Sequence, residues 1–295
     1  MTIKSNNKGV ESMHFLELSS LSEEQVLAIF DITRKLKENQ ANKILSGKTF
    51  LLFFPETSIR TRVTFEKGIK DLGGECILFP PETLDKREDS EDVMKFLCNW
   101  VDALIIRHPD FSKLKELSLY ASMPIINAMT TNNHPCEILS DLFSIAELRG
   151  NYRDLVYTFM GTANNISRSW MEISKVMNLK FNHACTSGNE LGDNTSNYRF
   201  FTDLESTLVG SDVVLTDSLP DDYLNHDYIT EYQITLDRMK LANKSALLNP
   251  CPPFFRGEEV SKEVINSEYF VGYEFKKNLI YIQQAVLTYC LGLKI

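Results

Sequence analysis

The sequence predicts an α/β protein built as two doubly wound parallel-sheet domains with the active site in the cleft between them. Three observations carry that reading. Short apolar runs recur along the chain and alternate with stretches of helical period. Charged and hydroxyl residues follow those runs directly, where the strand ends of an open parallel sheet converge on one crevice. The alternation also restarts after a break at Gly150 to Asp154, so it occurs twice in 295 residues, a length sufficient for two domains.

Taken in order, Met1 to Ser12 are polar and open an arm and lead-in that extends to about residue 20. Ser22 with Gln25 forms a capping box, and Val26, Ile29, Phe30 and Leu36 mark one face of the helix it opens. Phe50 to Phe54 reads as a strand buried on both faces, stopped by Pro55. Ser58, Ile59, Arg60, Thr61 and Arg62 then lead into a helix whose core face is read as Val63, Phe65, Ile69 and Leu72. Gly73-Gly74 precede a second strand, Glu75 to Phe79. A charged stretch, Pro80 to Asp92, runs into a helix ending near Trp100. A strand at Asp102 to Ile106 ends on Arg107-His108-Pro109. A helix at Ser112 to Ala121 precedes a strand at Pro124 to Asn127, and Asn132-Asn133-His134-Pro135 lead into a helix reaching Arg149.

The second series opens with a strand at Leu155 to Met160, then Gly161 to Asn165 and a helix around Trp170. Lys180 to Cys185 is the next strand, and the polar Thr186 to Asn197 reads as a mobile loop. Strands at Asp212 to Thr216 and Ser245 to Leu248 end on Asp217 and on Asn249-Pro250-Cys251-Pro252-Pro253. A helix from about Asn278 to Leu291 closes the chain.

Composition narrows the function. A net charge of −9 argues against a nucleic-acid surface. No apolar run is long enough to span a membrane, and the first dozen residues lack a signal-peptide core, so a cytoplasmic protein is expected. Cysteines at 76, 98, 136, 185, 251 and 290 show no C-x-x-C pair and no zinc spacing, which fits free thiols in a reducing compartment. No metal or cofactor is expected.

The strand-end residues suggest the chemistry. Arg60 and Arg62, with Ser58 and Thr61, crowd a helix mouth where free N–H groups and the positive dipole end favour phosphate. Arg107 and His134 suit a polarised carbonyl oxygen. Asn165, Asp217 and Cys251 suit an amine-bearing compound, since a carboxylate pairs with an ammonium. An activated acyl phosphate meeting an amine would pass through a tetrahedral oxyanion that such donors stabilise. The plainer readings are surface ion pairs for Arg60 and Arg62, a structural histidine for His134, helix caps for Asn165 and Asp217, a buried small residue for Cys251, and solvated loop positions for Lys86, Asp221 and Asp222.

Three motifs in order sharpen this. Ser58-Ile59-Arg60-Thr61-Arg62 resembles the Ser-Thr-Arg-Thr-Arg phosphate motif of the aspartate/ornithine carbamoyltransferase family. His134-Pro135-Cys136-Glu137 resembles its His-Pro-x-Gln. Cys251-Pro252-Pro253, followed by Arg256-Gly257-Glu258-Glu259-Val260, resembles the His-Cys-Leu-Pro and Arg-Gly-Glu-Glu-Val stretch of its ornithine branch. The resemblance covers nearly the whole chain.

It implies a carbamoyl phosphate-binding domain at 1–149, with the closing helix 278–295 packing back on it, and an amine-binding domain at 150–277. It implies carbamoyl phosphate held by Ser58, Ile59, Arg60, Thr61, Arg107, His134, Glu137, Cys251 and Pro252, with Lys86 reaching a neighbouring subunit's site in a homotrimer. Arg107, His134, Thr61 and Cys251 would be catalytic, and Asn165, Asp217, Ser218 and Leu219 would hold the amine substrate. The reaction implied moves the carbamoyl group to the amine of an ornithine-like amino acid and releases phosphate.

This sequence departs from the branch at Ile59, Glu137, Pro250 and Pro252, and at Ser218-Leu219-Pro220 in place of Ser-Met-Gly. Leu279 stands where an arginine is sought, with Lys276 and Lys277 close by. Two alternatives stay open. One is the same chemistry on 2,3-diaminopropionate or putrescine. The other is a catalytically weak relative that binds carbamoyl phosphate. A nucleotide-binding oxidoreductase is weaker, because no G-x-G-x-x-G follows any strand.

Overall fold

The computed structural model describes residues 14–39 and 43–295; the polar arm expected at residues 1 to 12 lies outside the described residues. The chain divides into two compact units. The first joins the described part of Met1–Leu16 to Glu24–Thr131 and Leu279–Ile295, and the second comprises Glu17–Glu23 and Asn132–Asn278. The division thus falls ahead of the helix that begins at Pro135, whereas the break at Gly150 suggested a boundary behind it.

In the first unit the elements run α1 (Glu23–Glu38), β1 (Thr49–Phe53), α2 (Ile59–Asp71), β2 (Glu75–Phe79), α3 (Ser90–Leu97), β3 (Ala103–Arg107), α4 (Phe111–Ser118) and β4 (Ile125–Met129). The four strands form one parallel sheet in the order β2-β1-β3-β4. Apolar runs make β1 and β3 central: Phe50, Leu52, Leu104, Ile105 and Ile106 are fully buried, as expected for strands covered on both faces. The far edge of β4 is occupied by the lead-in. Phe15 donates its N–H to the Ile125 carbonyl at 2.9 Å and accepts from the Asn127 N–H at 2.8 Å. At the other edge β2 alternates, leaving Ile77 and Phe79 exposed.

The core face of α2 is Thr61, Phe65, Gly68 and Ile69, continued by Leu72. Val63, expected on that face, is exposed; two residues from both Thr61 and Phe65, it projects to the opposite side at 100° per residue. The helix ends at Gly73, which has φ of +85°. The Gly73 and Gly74 amides return to the carbonyls of Lys70 and Ile69, a Schellman closure that favours glycine. A Cβ on Gly74 would stand 2.8 Å from Ile69 and 2.9 Å from Phe50.

The second unit contains α5 (Pro135–Leu148), β5 (Val156–Met160), α6 (Asn165–Val176), β6 (Lys180–Ala184), β7 (Tyr198–Phe201), α7 (Leu204–Leu208), β8 (Val213–Thr216), α8 (His226–Tyr232), α9 (Leu236–Met239), β9 (Leu247–Pro250) and α10 (Lys262–Ile265). Its parallel sheet has the order β7-β6-β5-β8-β9. The last strand lies two residues later than the sequence suggested. An edge position tolerates Pro250, and the Cys251 N–H resumes the ladder by donating to the Thr216 carbonyl at 2.8 Å. β7 escapes sequence reading because it is a short, half-exposed edge strand. The polar segment before it is pinned: Asn189 accepts from the Ala163 N–H at 3.0 Å and donates to the Tyr223 hydroxyl at 2.9 Å.

The chain closes with α11 (Asn278–Cys290). Within the first unit α11 packs on α2, where Gln284 donates to the Gly68 carbonyl at 2.8 Å. A side chain at position 68 would meet Gln284 and Ile280 at 3.2 Å. No helix among the described residues is long and apolar enough to cross a membrane.

The two sheets share one construction. Strand order reverses between β1 and β3 in the first and between β5 and β8 in the second, which makes these the switch points where ligands bind. At the amino end of each pair an aspartate ties the strands. Asp102 accepts from the Thr49 N–H at 2.9 Å, and Asp212 accepts from the Val156 N–H at 2.9 Å. Asp102→Ala and Asp212→Ala are each expected to cost about 1–2 kcal/mol through a lost charge-assisted bond. Urea unfolding checks this, and an unchanged midpoint in both variants contradicts the shared role.

Candidate active site

The carboxyl ends of these strand pairs hold several of the residues singled out by sequence. In the first unit Ser58 is the N-cap of α2 but makes no side-chain cap. Its hydroxyl accepts from Arg107 Nη1 at 3.0 Å, so the ends of β1 and β3 are bridged across the switch point. Ile59 is exposed and its amide donates to the Thr57 carbonyl at 2.9 Å. Arg60 lies exposed in the first turn of α2, and Thr61 is buried on the helix's inner face. Arg62 takes the plainer role, an ion pair to Glu66 at 3.5 Å along the helix. With no acidic residue in that first turn, the helix mouth keeps its positive field.

Lys86 is exposed and directly follows a short 3-10 turn, Pro81–Asp85. Its neighbour Asp85 is 3.0 Å from His108 Nε2. The Asp110 N–H donates to His108 Nδ1 at 3.0 Å, so the imidazole proton sits on Nε2 and is donated to Asp85. The loop carrying Lys86 is thereby fastened to the end of the strand carrying Arg107.

In the second unit the switch point is bridged in the same manner: Asn164 Nδ2 donates to Asp217 Oδ2 at 2.9 Å. Asn164, rather than Asn165, is the N-cap of α6, with a capping box to Ser167. Asn165 is the helix's first residue and is buried. Asp217 caps no helix, since the turn that follows is preceded by Pro220. Burial pushes the Asp217 carboxyl up to about 7, against bonds from the Ser218 backbone and Asn164 that favour its charged form. Ser218 is half-buried, and Leu219 packs on the core of this unit.

His134 is the N-cap of α5, is buried, and donates its backbone N–H to Ser169 Oγ at 2.8 Å. Glu137 lies one turn later. Its Oε1 accepts from Lys276 Nζ at 2.9 Å. The same ammonium reaches both oxygens of Asp141, at 2.6 and 2.8 Å, and Asn249 Nδ2 donates to Asp141 at 2.8 Å. Burial would lower the Lys276 pKa, but Asp141 and Glu137 together push it well above its ordinary value. Burial raises Asp141 to about 6, against the ammonium that lowers it.

Cys251 follows β9 and is buried. Burial, then the charges of Asp217 and Glu137, raise its thiol pKa well above the ordinary value. It is therefore a neutral thiol at physiological pH, a poor nucleophile. Pro252 beside it is half-buried.

The structure thus gathers Ser58, Thr61 and Arg107 at one switch point, with Ile59 and Arg60 in the adjoining turn. It gathers Asn165, Asp217, Cys251, Glu137 and His134 within the second unit. Sequence reading missed Asn164, Asp141 and the pairing of Lys276. Two acidic residues four apart on a helix as apolar as α5 were the available signal, since buried carboxylates demand a cation.

Known proteins resemble this chain over both of its halves. Residues 13–147 match the carbamoyl-P binding domain of the aspartate/ornithine carbamoyltransferase family, and residues 153–290 match its Asp/Orn binding domain. The ornithine carbamoyltransferase of Nitrobacter winogradskyi is 32% identical over 301 residues, covering 95% of this chain and 97% of that protein. That of Agrobacterium fabrum is 32% identical over 298 residues, covering 95% and 98%. Among solved structures, ornithine carbamoyltransferase from Burkholderia thailandensis superposes with a TM-score of 0.86 at 28% identity, covering 94% of this chain and 98% of the other. That from Pyrococcus furiosus gives 0.88 at 26% identity, covering 95% and 97%. A chain matched over nearly its whole length by both domains of one family, and folded into the same two parallel-sheet units, belongs to the aspartate/ornithine carbamoyltransferase family.

Proposed function

We propose that this chain transfers the carbamoyl group of carbamoyl phosphate to the side-chain amine of ornithine. The observation that carries the choice of acceptor is Asp217, a carboxylate held by Asn164 at the β5–β8 switch point. It attracts an ammonium and repels a second carboxylate on the acceptor. The relatives named ornithine carbamoyltransferase, 32% identical, support the same choice.

The chemistry needs little from the protein beyond positioning and charge. The uncharged amine attacks the carbamoyl carbon. A C–N bond forms, the carbonyl oxygen gathers negative charge, the C–O bond to phosphate breaks, and the proton lost by nitrogen leaves with phosphate. Ser58, Arg60, Thr61 and the α2 amides are assigned to the phosphate, with the backbone at Ile59 completing the turn. The Ser58 hydroxyl accepts from Arg107, which leaves its proton to donate to an anion. Arg107 is assigned to both phosphate and carbonyl oxygen, and Thr61 and His134 to that oxygen. Glu137 and the carbonyls near Cys251 and Pro252 are assigned to the carbamoyl NH2. Asn165, Asp217, Ser218 and Leu219 are assigned to the amino-acid acceptor.

The neutral thiol of Cys251 fits direct transfer without a covalent intermediate. We assign the protein to the cytoplasm, as a homotrimer in which Lys86 reaches a neighbour's site. The exposed Lys86 and the exposed apolar residues Phe96 and Trp100 support that assembly.

Phosphate release from carbamoyl phosphate, measured with ornithine, 2,3-diaminopropionate, putrescine and aspartate, tests the reading. Release that depends on ornithine is expected. Release with aspartate alone overturns the role of Asp217, and carbamoyl phosphate binding without release leaves a binding protein. Arg60→Ala and Arg107→Ala are each expected to lower kcat/KM at least about 100-fold, on the order of 3 kcal/mol of lost oxyanion or phosphate stabilisation. Near-parental rates in either variant dismiss the phosphate site.

Asp217→Asn has two expected effects. Acceptor KM rises about 100-fold while the affinity for carbamoyl phosphate holds; equal loss of both counts against the assignment. The free protein also responds in stability. A carboxyl raised from 3.8 to about 7 favours the fold while protonated, and that contribution disappears as pH climbs from about 4 to 7. Above pH 7 the variant is therefore the more stable, by up to about 4 kcal/mol, and at pH 4 the two converge. Melting curves at pH 4, 6 and 8 read this directly.

A further inference from the structure

We propose that Lys276 is a positioning residue that makes position 137 an all-acceptor group for the carbamoyl NH2. The inference rests on the carbamoyl phosphate reading above and adds a residue to it. Three observations support it. Lys276 Nζ lies between Glu137 Oε1 and both oxygens of Asp141. Glu137 and Asp141 are buried, 7% and 2% exposed. Asp141 is held from its other side by Asn249, whose own Oδ1 is buried with no hydrogen-bond partner among the described residues. The ammonium is thus fixed by two carboxylates, one of them anchored to β9, and it in turn fixes Glu137.

The chemistry follows from which groups donate. An ammonium only donates, and an ionised carboxylate only accepts, through about four lone-pair sites. Glu137 can therefore satisfy Lys276 and an NH2 group together. A glutamine at this position, as in the motif this segment resembles, has one oxygen and one NH2. With Lys276 in place the glutamine oxygen turns to the ammonium, and its NH2 then faces the carbamoyl NH2, donor against donor. Lysine and glutamate are consequently matched: each suits the site only with the other. Burial opposes the charge on the ammonium, but Asp141 and Glu137 outweigh it and hold the pKa well above the ordinary value. The other groups acting on it are Asp217 after β8 and Cys251 after β9.

The test is reciprocal rescue, read by calorimetric binding of carbamoyl phosphate and by kcat/KM, in the parent, E137Q, K276M and E137Q/K276M. E137Q keeps the Lys276–Asp141 pair, so it remains folded, and its affinity for carbamoyl phosphate is expected to fall at least 30-fold. The double variant, in which the glutamine is free to turn its oxygen to the substrate, is expected to recover at least tenfold over E137Q. K276R keeps the charge and stays within tenfold of the parent. Should K276M unfold by leaving Asp141 uncompensated, D141N added to the double variant supplies the neutral background, with the same recovery expected.

Parental affinity in E137Q overturns the proposal, as does a double variant no better than E137Q. Losses that track melting temperature across the set reduce Lys276 to a structural tie and overturn it too. Failure of the underlying reading is distinct: the parent itself then binds no carbamoyl phosphate.

Discussion

Each sheet hangs on one parallel strand pair at its centre, β1 with β3 and β5 with β8. The chain runs outward from that pair in both directions, and Ser58, Arg60, Thr61, Arg107, Asn165 and Asp217 are placed by it or by the helix that leaves it. The pair is tied at its amino end by Asp102 or Asp212. At its carboxyl end the ties are Ser58 with Arg107 and Asn164 with Asp217. The bonds differ in kind. An aspartate closing a backbone amide stabilises the register. A side-chain bridge across a switch point holds polar groups that a ligand can later recruit, at lower reorganisation cost than if they were solvated and mobile.

How much of this was legible in sequence depends on the kind of physics involved. Of the nine strands among the described residues eight could be read, because β1, β3, β5 and β8 are mostly apolar runs and the remaining readable ones are bounded by glycine, proline or charge. The exception, β7, is a half-exposed edge that makes no apolar run. The family motifs singled out the loop proposed for phosphate and the His-Pro turn, and helix period placed Arg60 and Thr61 in one turn. Helix period alone did not assign the faces of α2, because Val63 is as apolar as a core residue yet lies outside.

Pairings between distant residues were the part that sequence hid. Lys276 and Glu137 are 139 positions apart, and Asn249 and Asp141 are 108 apart; no local pattern reports such a contact. Glu137 looked like an added charge in an otherwise familiar motif, and Lys276 like a substitute near a missing arginine. In the structure they are one feature. The same reasoning separates Asn164 from Asn165: two adjacent asparagines, of which one is spent on capping and on Asp217, while the other opens the helix.

Neither compact unit is a continuous piece of chain, and this bears on how the protein is made. The first unit recovers α11 from the end of the sequence, and the second obtains the ion-pair partner of α5 from residue 276. A growing chain that has displayed only its first 270 residues carries two buried-to-be carboxylates without their ammonium and a helix α2 whose Gly68 surface is uncovered. Domains ordinarily complete from the amino end onward during synthesis, and here the final contacts of both units wait on the closing segment. Each unit is thus closed by residues far along the chain from most of its own sheet, Lys276 for the second and α11 for the first.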